Sequence, residues 1–116
     1  MTISTHVLDA SLGTPAAGVS VTLSRLAGGW LDVESGVTDP DGRHRFVADT
    51  IAGTYCLTFG TGPYFAARGV PTFYPEVAIT FTIPEPADGT TASGDTRHLH
   101  VPLLLSPFAY STYRGS

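Results

Sequence analysis

Arg97-His98-Leu99-His100-Val101-Pro102-Leu103-Leu104-Leu105 is the stretch that decides the fold. Its period is two: Leu99, Val101, Leu103 and Leu105 fall on one side of an extended chain, and His98, His100, Pro102 and Leu104 on the other. A helix would scatter these positions round its circumference, whereas a strand with one buried face sorts them. The aliphatic side belongs to a core, so both histidines must point out of it.

The same alternation recurs upstream. Val77, Ile79, Phe81 and Ile83 alternate with Ala78, Thr80 and Thr82; Tyr55, Leu57 and Phe59 with Thr54, Cys56 and Thr58; Val19, Val21 and Leu23 with Ser20, Thr22 and Ser24. Weaker strands are expected over Ile3–Leu8, Trp30–Val37, Arg43–Val47 and Phe108–Tyr113. Turn chemistry lies between them at Gly13-Thr14-Pro15, Gly28-Gly29 and Asp39-Pro40-Asp41-Gly42, the last with glycine where a positive φ is needed. Tyr64–Gly69 predicts one short helix, stopped by Gly69 and Pro71, and Pro84–Thr96 reads as a surface loop. With no repeat or linker, residues 1–116 form one domain. About eight short strands predict an all-β, two-sheet antiparallel β-sandwich with the apolar faces packed inward.

Composition narrows the function classes. A net charge of −4 with six Lys and Arg argues against nucleic acid and against an anionic membrane surface. Val101–Ala109, the longest nearly apolar stretch, is too short to span a bilayer and carries two prolines. Cys56 is the single cysteine, which implies no disulfide framework and a reducing compartment. The start, Met1-Thr2-Ile3-Ser4, has no basic or apolar leader pattern, and Tyr113-Arg114-Gly115-Ser116 is not a peroxisomal address, so a cytoplasmic location is expected.

The outward faces carry the chemistry. In the first strand Ile3, Thr5 and Val7 share the inner face, and Ser4, His6 and Leu8 the outer one. His6, His98 and His100 are therefore outward, and they meet if the first and seventh strands are neighbours. Leu8, Pro102, Leu104 and the aromatics of the last strand make that face apolar, which predicts that sheets pair between subunits around a histidine-lined cleft. Plainer readings stand beside this one. An isolated strand histidine is usually solvated, as is expected of His44; Arg43 can be an edge charge and Arg114 a frayed tail. Asp39 and Asp41 read as turn residues, and Cys56 as packing. His98 and His100 at i, i+2 could hold a metal, but no cysteine or acidic ligand is suitably spaced beside them. The chain has no G-x-S-x-G elbow, Walker loop or G-x-G-x-x-G.

Ser4-Thr5-His6-Val7-Leu8-Asp9 with Gly13-Thr14-Pro15-Ala16, Thr38-Asp39-Pro40-Asp41-Gly42-Arg43, Phe73-Tyr74-Pro75-Glu76-Val77, and the block from His98 to the closing Tyr110-Ser111-Thr112-Tyr113-Arg114-Gly115-Ser116 together resemble the transthyretin-related 5-hydroxyisourate hydrolases. The likeness covers nearly the whole chain, and the terminal Tyr-Arg-Gly-Ser sets it apart from hormone-carrying transthyretins. The resemblance implies a transthyretin-like sandwich assembled as a homotetramer, a dimer of dimers with sites at the subunit interface. It implies hydrolysis of 5-hydroxyisourate to 2-oxo-4-hydroxy-4-carboxy-5-ureidoimidazoline in urate degradation, without metal or organic cofactor. It maps catalytic roles onto His6, Arg43 and His100, and substrate binding onto Tyr113, Arg114, Gly115 and Ser116, with His98 in the same His-x-His element. Leu99 stands where the family usually has Tyr, and the 84–96 segment is longer than usual.

The chemistry fits those residue types. A neutral histidine can take a proton from water near pH 7, and a second can orient or act as acid. Arginine holds an anionic edge through its planar fork. The rival readings are a non-catalytic transthyretin-like carrier, a metal-binding sandwich and a structural adhesion module.

Overall fold

The computed structural model describes residues 1–86 and 97–115. Among them the chain forms β1 (Thr2–Asp9), β2 (Thr14–Pro15), β3 (Ser20–Leu26), β4 (Trp30–Val37), β5 (Arg43–Arg45), β6 (Gly53–Phe59), α1 (Thr61–Ala66), β7 (Val77–Ile83), β8 (His98–Ser106) and β9 (Ala109–Thr112). One sheet runs β2-β1-β8-β9, with β5 also paired to β1; the other runs β4-β3-β6-β7. The alternating residues fill the gap between them. Ile3 and Val7 of β1 and Leu99, Val101, Leu103 and Leu105 of β8 are buried with Val21, Leu23, Leu57, Phe59 and Ile83 of the facing sheet. Each such side chain contributes about 1.5–3 kcal/mol relative to exposure. The two-sheet sandwich with one short helix is as expected. No described helix is long and apolar enough to cross a membrane.

The differences have local causes. β2 has two residues, too short to show a period. β5 ends at Arg45 because the chain leaves the sheet: the Val47 and Ala48 N–H groups donate to the Glu34 carboxylate instead. α1 starts three residues before the expected Tyr64, because Pro63 in its first turn loses no intrahelical hydrogen bond. Gly69 (φ 68°) then closes it, with Gly69 N–H donating to Ala66 O and Val70 N–H to Phe65 O, both at 3.0 Å, in a Schellman motif. Most pairings are antiparallel, but β1 and β8 run parallel. Most of the expected 84–96 loop lies outside the described residues.

One polar cluster fastens α1 to the end of β1. Asp9 is fully buried. Its carboxylate accepts from the Ser11 hydroxyl, the Ser11 and Leu12 N–H groups, Tyr64 OH at 2.8 Å and Arg68 Nη1 at 2.7 Å. Burial alone would raise its pKa. The hydrogen bonds from Ser11, Tyr64 and the two backbone amides outweigh that and hold it below the usual carboxylate value.

Candidate active site

The parallel register of β1 and β8 sets Thr2 against His98, Ser4 against His100 and His6 against Pro102. The outward side chains of the two strands therefore lie side by side. Ser4 Oγ is 2.8 Å from His98 Nε2 and 2.8 Å from His100 Nδ1, and Thr2 Oγ1 is 2.6 Å from His98 Nδ1. His100 Nε2 has no hydrogen-bond partner among the described residues. His6 lies one pleat further along the same outer face, half-buried.

On the other flank of β1, β5 pairs His6 with Arg43 and Ser4 with Arg45. The turn before Arg43 is tightly built: Asp39 Oδ1 accepts from the Asp41 and Arg43 N–H groups, both at 2.9 Å. Gly42 (φ 76°) passes so close to β1 that a Cβ there would sit 2.4 Å from Val7 O. Val7 N–H donates to Gly42 O at 2.7 Å, which ties the turn to the strand that carries His6. Asp39 is thus a turn residue, as expected.

These side chains surround an open concavity of about 560 Å³ lined by Ser4, Asp39, Arg43, Arg45, His98 and His100, among others; His6 is just outside this lining. Its charge is opposite to that of the chain, with two arginines against one aspartate where the whole carries −4. Burial, together with the nearby His6, Arg43 and His98, pushes the His100 pKa below the ordinary imidazole value against an opposing hydrogen bond with Ser4. A neutral His100 near pH 7 follows.

The tail divides. Gly115 N–H donates to His100 O at 2.9 Å, and a Cβ at Gly115 would come within 2.6 Å of the His100 ring, so only glycine lies this close. Tyr113 and Arg114 line a separate groove of about 230 Å³ with Ile79, Phe81, Leu99 and Val101. Ser116 lies outside the described residues. Leu99 is buried, as its inward phase requires.

His44, expected to be solvated, instead turns inward. Its ring packs against Gly36 and edge-on to Phe46 at 4.6 Å; its Nε2 is buried without a hydrogen bond, 4.0 Å from Glu34 Oε2. The reason is alternation in β5: Arg43 and Arg45 take the outer face and leave His44 the inner one. Arg45, Thr2 and Ser4 were not among the site residues expected from sequence. Period two in Arg43-His44-Arg45 and in Thr2-Ile3-Ser4-Thr5-His6 was the available signal. Among the described residues no three His, Cys, Asp or Glu side chains converge as a metal ion would need.

The chain is similar to known proteins over nearly its whole length. The family model described as HIUase/Transthyretin matches residues 3–115. The 5-hydroxyisourate hydrolase of Salmonella dublin is 42% identical over 118 residues, covering 98% of this chain and 80% of that protein. The structure of Klebsiella pneumoniae 5-hydroxyisourate hydrolase superposes with a TM-score of 0.82 at 41% identity, covering 99% of this chain and 93% of that one. Sea bream transthyretin in complex with thyroxine gives 0.84 at 30% identity, covering 97% and 93%. Backbone likeness does not separate the two kinds of relative, and sequence identity leans to the hydrolases. A match that runs through both sheets and through the strands bearing His6 and His100 makes this chain a member of the HIUase/Transthyretin family.

Proposed function

We propose that this chain hydrolyses 5-hydroxyisourate in urate degradation, with His6, Arg43 and His100 as the reacting constellation. The observation that carries the reading is the β1–β8 register, which sets His6 and His100 on one outer face beside Arg43. The substrate is electron-poor and acidic, and the arginine-lined concavity suits it in charge. On this reading His100 Nε2 takes a proton from water as the oxygen attacks a ring carbonyl. The carbonyl–nitrogen bond then breaks, and the nitrogen leaves with a proton supplied by the imidazoles. Arg43 holds the anionic edge, where a planar fork matches two oxygens. His6 orients the water or serves as the acid partner.

His98 and Gly115 flank the concavity within one chain, and we assign Tyr113, Arg114 and Ser116 to substrate binding in the assembled interface, because Tyr113 and Arg114 line a separate groove in the single chain. The exposed Phe108, Tyr110 and Tyr113 support an assembly in which this sheet meets another copy, and we assign a homotetramer, a dimer of dimers with sites at the subunit interface. The reaction needs neither metal nor organic cofactor on this reading, and its setting is the cytoplasm.

The test is decay of freshly generated 5-hydroxyisourate, followed by absorbance against its spontaneous loss. Acceleration proportional to protein concentration is expected. A rate equal to spontaneous decay overturns the proposal. The carrier reading, favoured by the backbone likeness to sea bream transthyretin, requires ligand binding without turnover, and the same assay separates the two.

A further inference from the structure

The hydroxyl of Ser4 lies between two imidazoles. A serine hydroxyl has one hydrogen, and it sits 2.8 Å from His98 Nε2 and 2.8 Å from His100 Nδ1, while Thr2 Oγ1 is 2.6 Å from the remaining nitrogen of His98. With both rings neutral, two arrangements satisfy all three of these contacts in one direction. In the first, Thr2 donates to His98 Nδ1, His98 Nε2–H donates to Ser4, and Ser4 donates to His100 Nδ1; His100 then carries its hydrogen on Nε2. In the second every bond is reversed: His100 Nδ1–H donates to Ser4, Ser4 to His98 Nε2, and His98 Nδ1–H to Thr2. His100 Nε2 is then bare. In both arrangements the two rings are in the same tautomer. Mixed tautomers leave a hydroxyl hydrogen or a ring nitrogen of the chain unmatched.

We propose that Thr2, His98, Ser4 and His100 form a proton relay in which Ser4 is the positioning residue that locks both rings into one tautomer. The proposal rests on the hydrolase reading and gives His98 a part other than holding substrate. In the second arrangement a water proton passes to His100 Nε2 as the water oxygen bonds to the carbonyl carbon. The Nδ1 hydrogen moves to Ser4 Oγ, the Ser4 hydrogen to His98 Nε2, the His98 Nδ1 hydrogen to Thr2 Oγ1, and the Thr2 hydrogen to bulk water. His98 is exposed, so the chain ends at solvent. As the carbon–nitrogen bond breaks, the leaving nitrogen takes the proton from His100 Nε2, and the relay runs back with one proton drawn from water. No net charge stays on His100, which suits a ring that is half-buried among His6, Arg43 and His98.

Ring-nitrogen NMR of the full-length protein tests the lock without any substrate. His98 and His100 are expected in matching tautomers at neutral pH, and Ser4→Ala is expected to abolish the match. In the decay assay Ser4→Ala should lower kcat by about tenfold to a hundredfold while KM moves by less than about threefold. Ser4→Thr, which keeps the hydroxyl, should restore both readouts. Thr2→Val, at the solvent end, should cost less than Ser4→Ala. Opposite tautomers in the unsubstituted protein, or Ser4→Ala at full kcat, overturn the relay. If the unsubstituted protein does not accelerate decay, the hydrolase reading fails, and the tautomer measurement still decides the lock.

Discussion

The two ends of β1 hold polar clusters of opposite character. At its C-terminal end Asp9 is fully buried and accepts from two hydroxyls, two backbone amides and a guanidinium. At its N-terminal half Ser4 joins His100 and Arg43 around an open concavity with His6 just outside its lining, and His100 Nε2 has no partner among the described residues. The Asp9 cluster is closed and leaves nothing for a ligand to do. The His100 cluster engages both nitrogens of His98 but only Nδ1 of His100, and leaves His100 Nε2 free among the described residues. Buried polar groups hold a fold when fully matched; a site keeps donors and acceptors in reserve. Titration follows the same division. Hydrogen bonds lower the Asp9 pKa and favour its charged form, whereas burial and positive neighbours lower that of His100 and favour its neutral form.

Four experiments test the contrast, the largest effect first. His100→Ala should lower kcat/KM by about a hundredfold to ten-thousandfold with little change in thermal unfolding, because the ring lies on the outer face. A large loss of stability instead would put His100 on the structural side. Asp9→Ala should behave in reverse and destabilise by about 3 kcal/mol in urea unfolding, since it leaves two backbone amides and two hydroxyls without their acceptor. The contribution of Asp9 is present above the unfolded carboxylate value and lost as pH falls through its lowered folded value, so its share of acid unfolding lies below about pH 4.

Arg43→Gln should weaken kcat/KM by about tenfold or more, the size expected for a charged hydrogen bond. It should also move the acid limb of the pH profile. The folded His100 pKa lies below the ordinary imidazole value, so activity persists to lower pH than that value and fails as His100 protonates. Removing the Arg43 charge raises the pKa and shifts the limb upward. An unmoved limb would separate Arg43 from His100. For stability the sign is that of a depressed histidine: the unfolded chain binds the proton more readily, and stability falls as pH drops below about 6.5. His44→Leu should change unfolding free energy by less than about 1 kcal/mol, because it removes a buried nitrogen that makes no hydrogen bond.

Much of this was legible along the chain. Period two in β3, β6, β7 and β8 follows from backbone geometry, so the inner and outer faces, and with them outward His6, His98 and His100, needed no partner to be known. The glycines at 42 and 69 announced the turns that close there. Other features were not legible. Nothing local states that β1 runs parallel to β8, that Ser4 therefore faces both His98 and His100, that His44 folds inward over Gly36, or that Tyr113 and Arg114 turn into a second groove while Gly115 returns to His100.

The sequence by itself determined which face of each strand a residue occupies, because that depends on a residue's parity along one backbone. Tertiary structure alone decided which outward residues become neighbours. Strand direction and register depend on how two distant segments share one ladder of hydrogen bonds over a common core, and a shift of a single residue between β1 and β8 would set Ser4 against inward Leu99 or Val101 instead of His100.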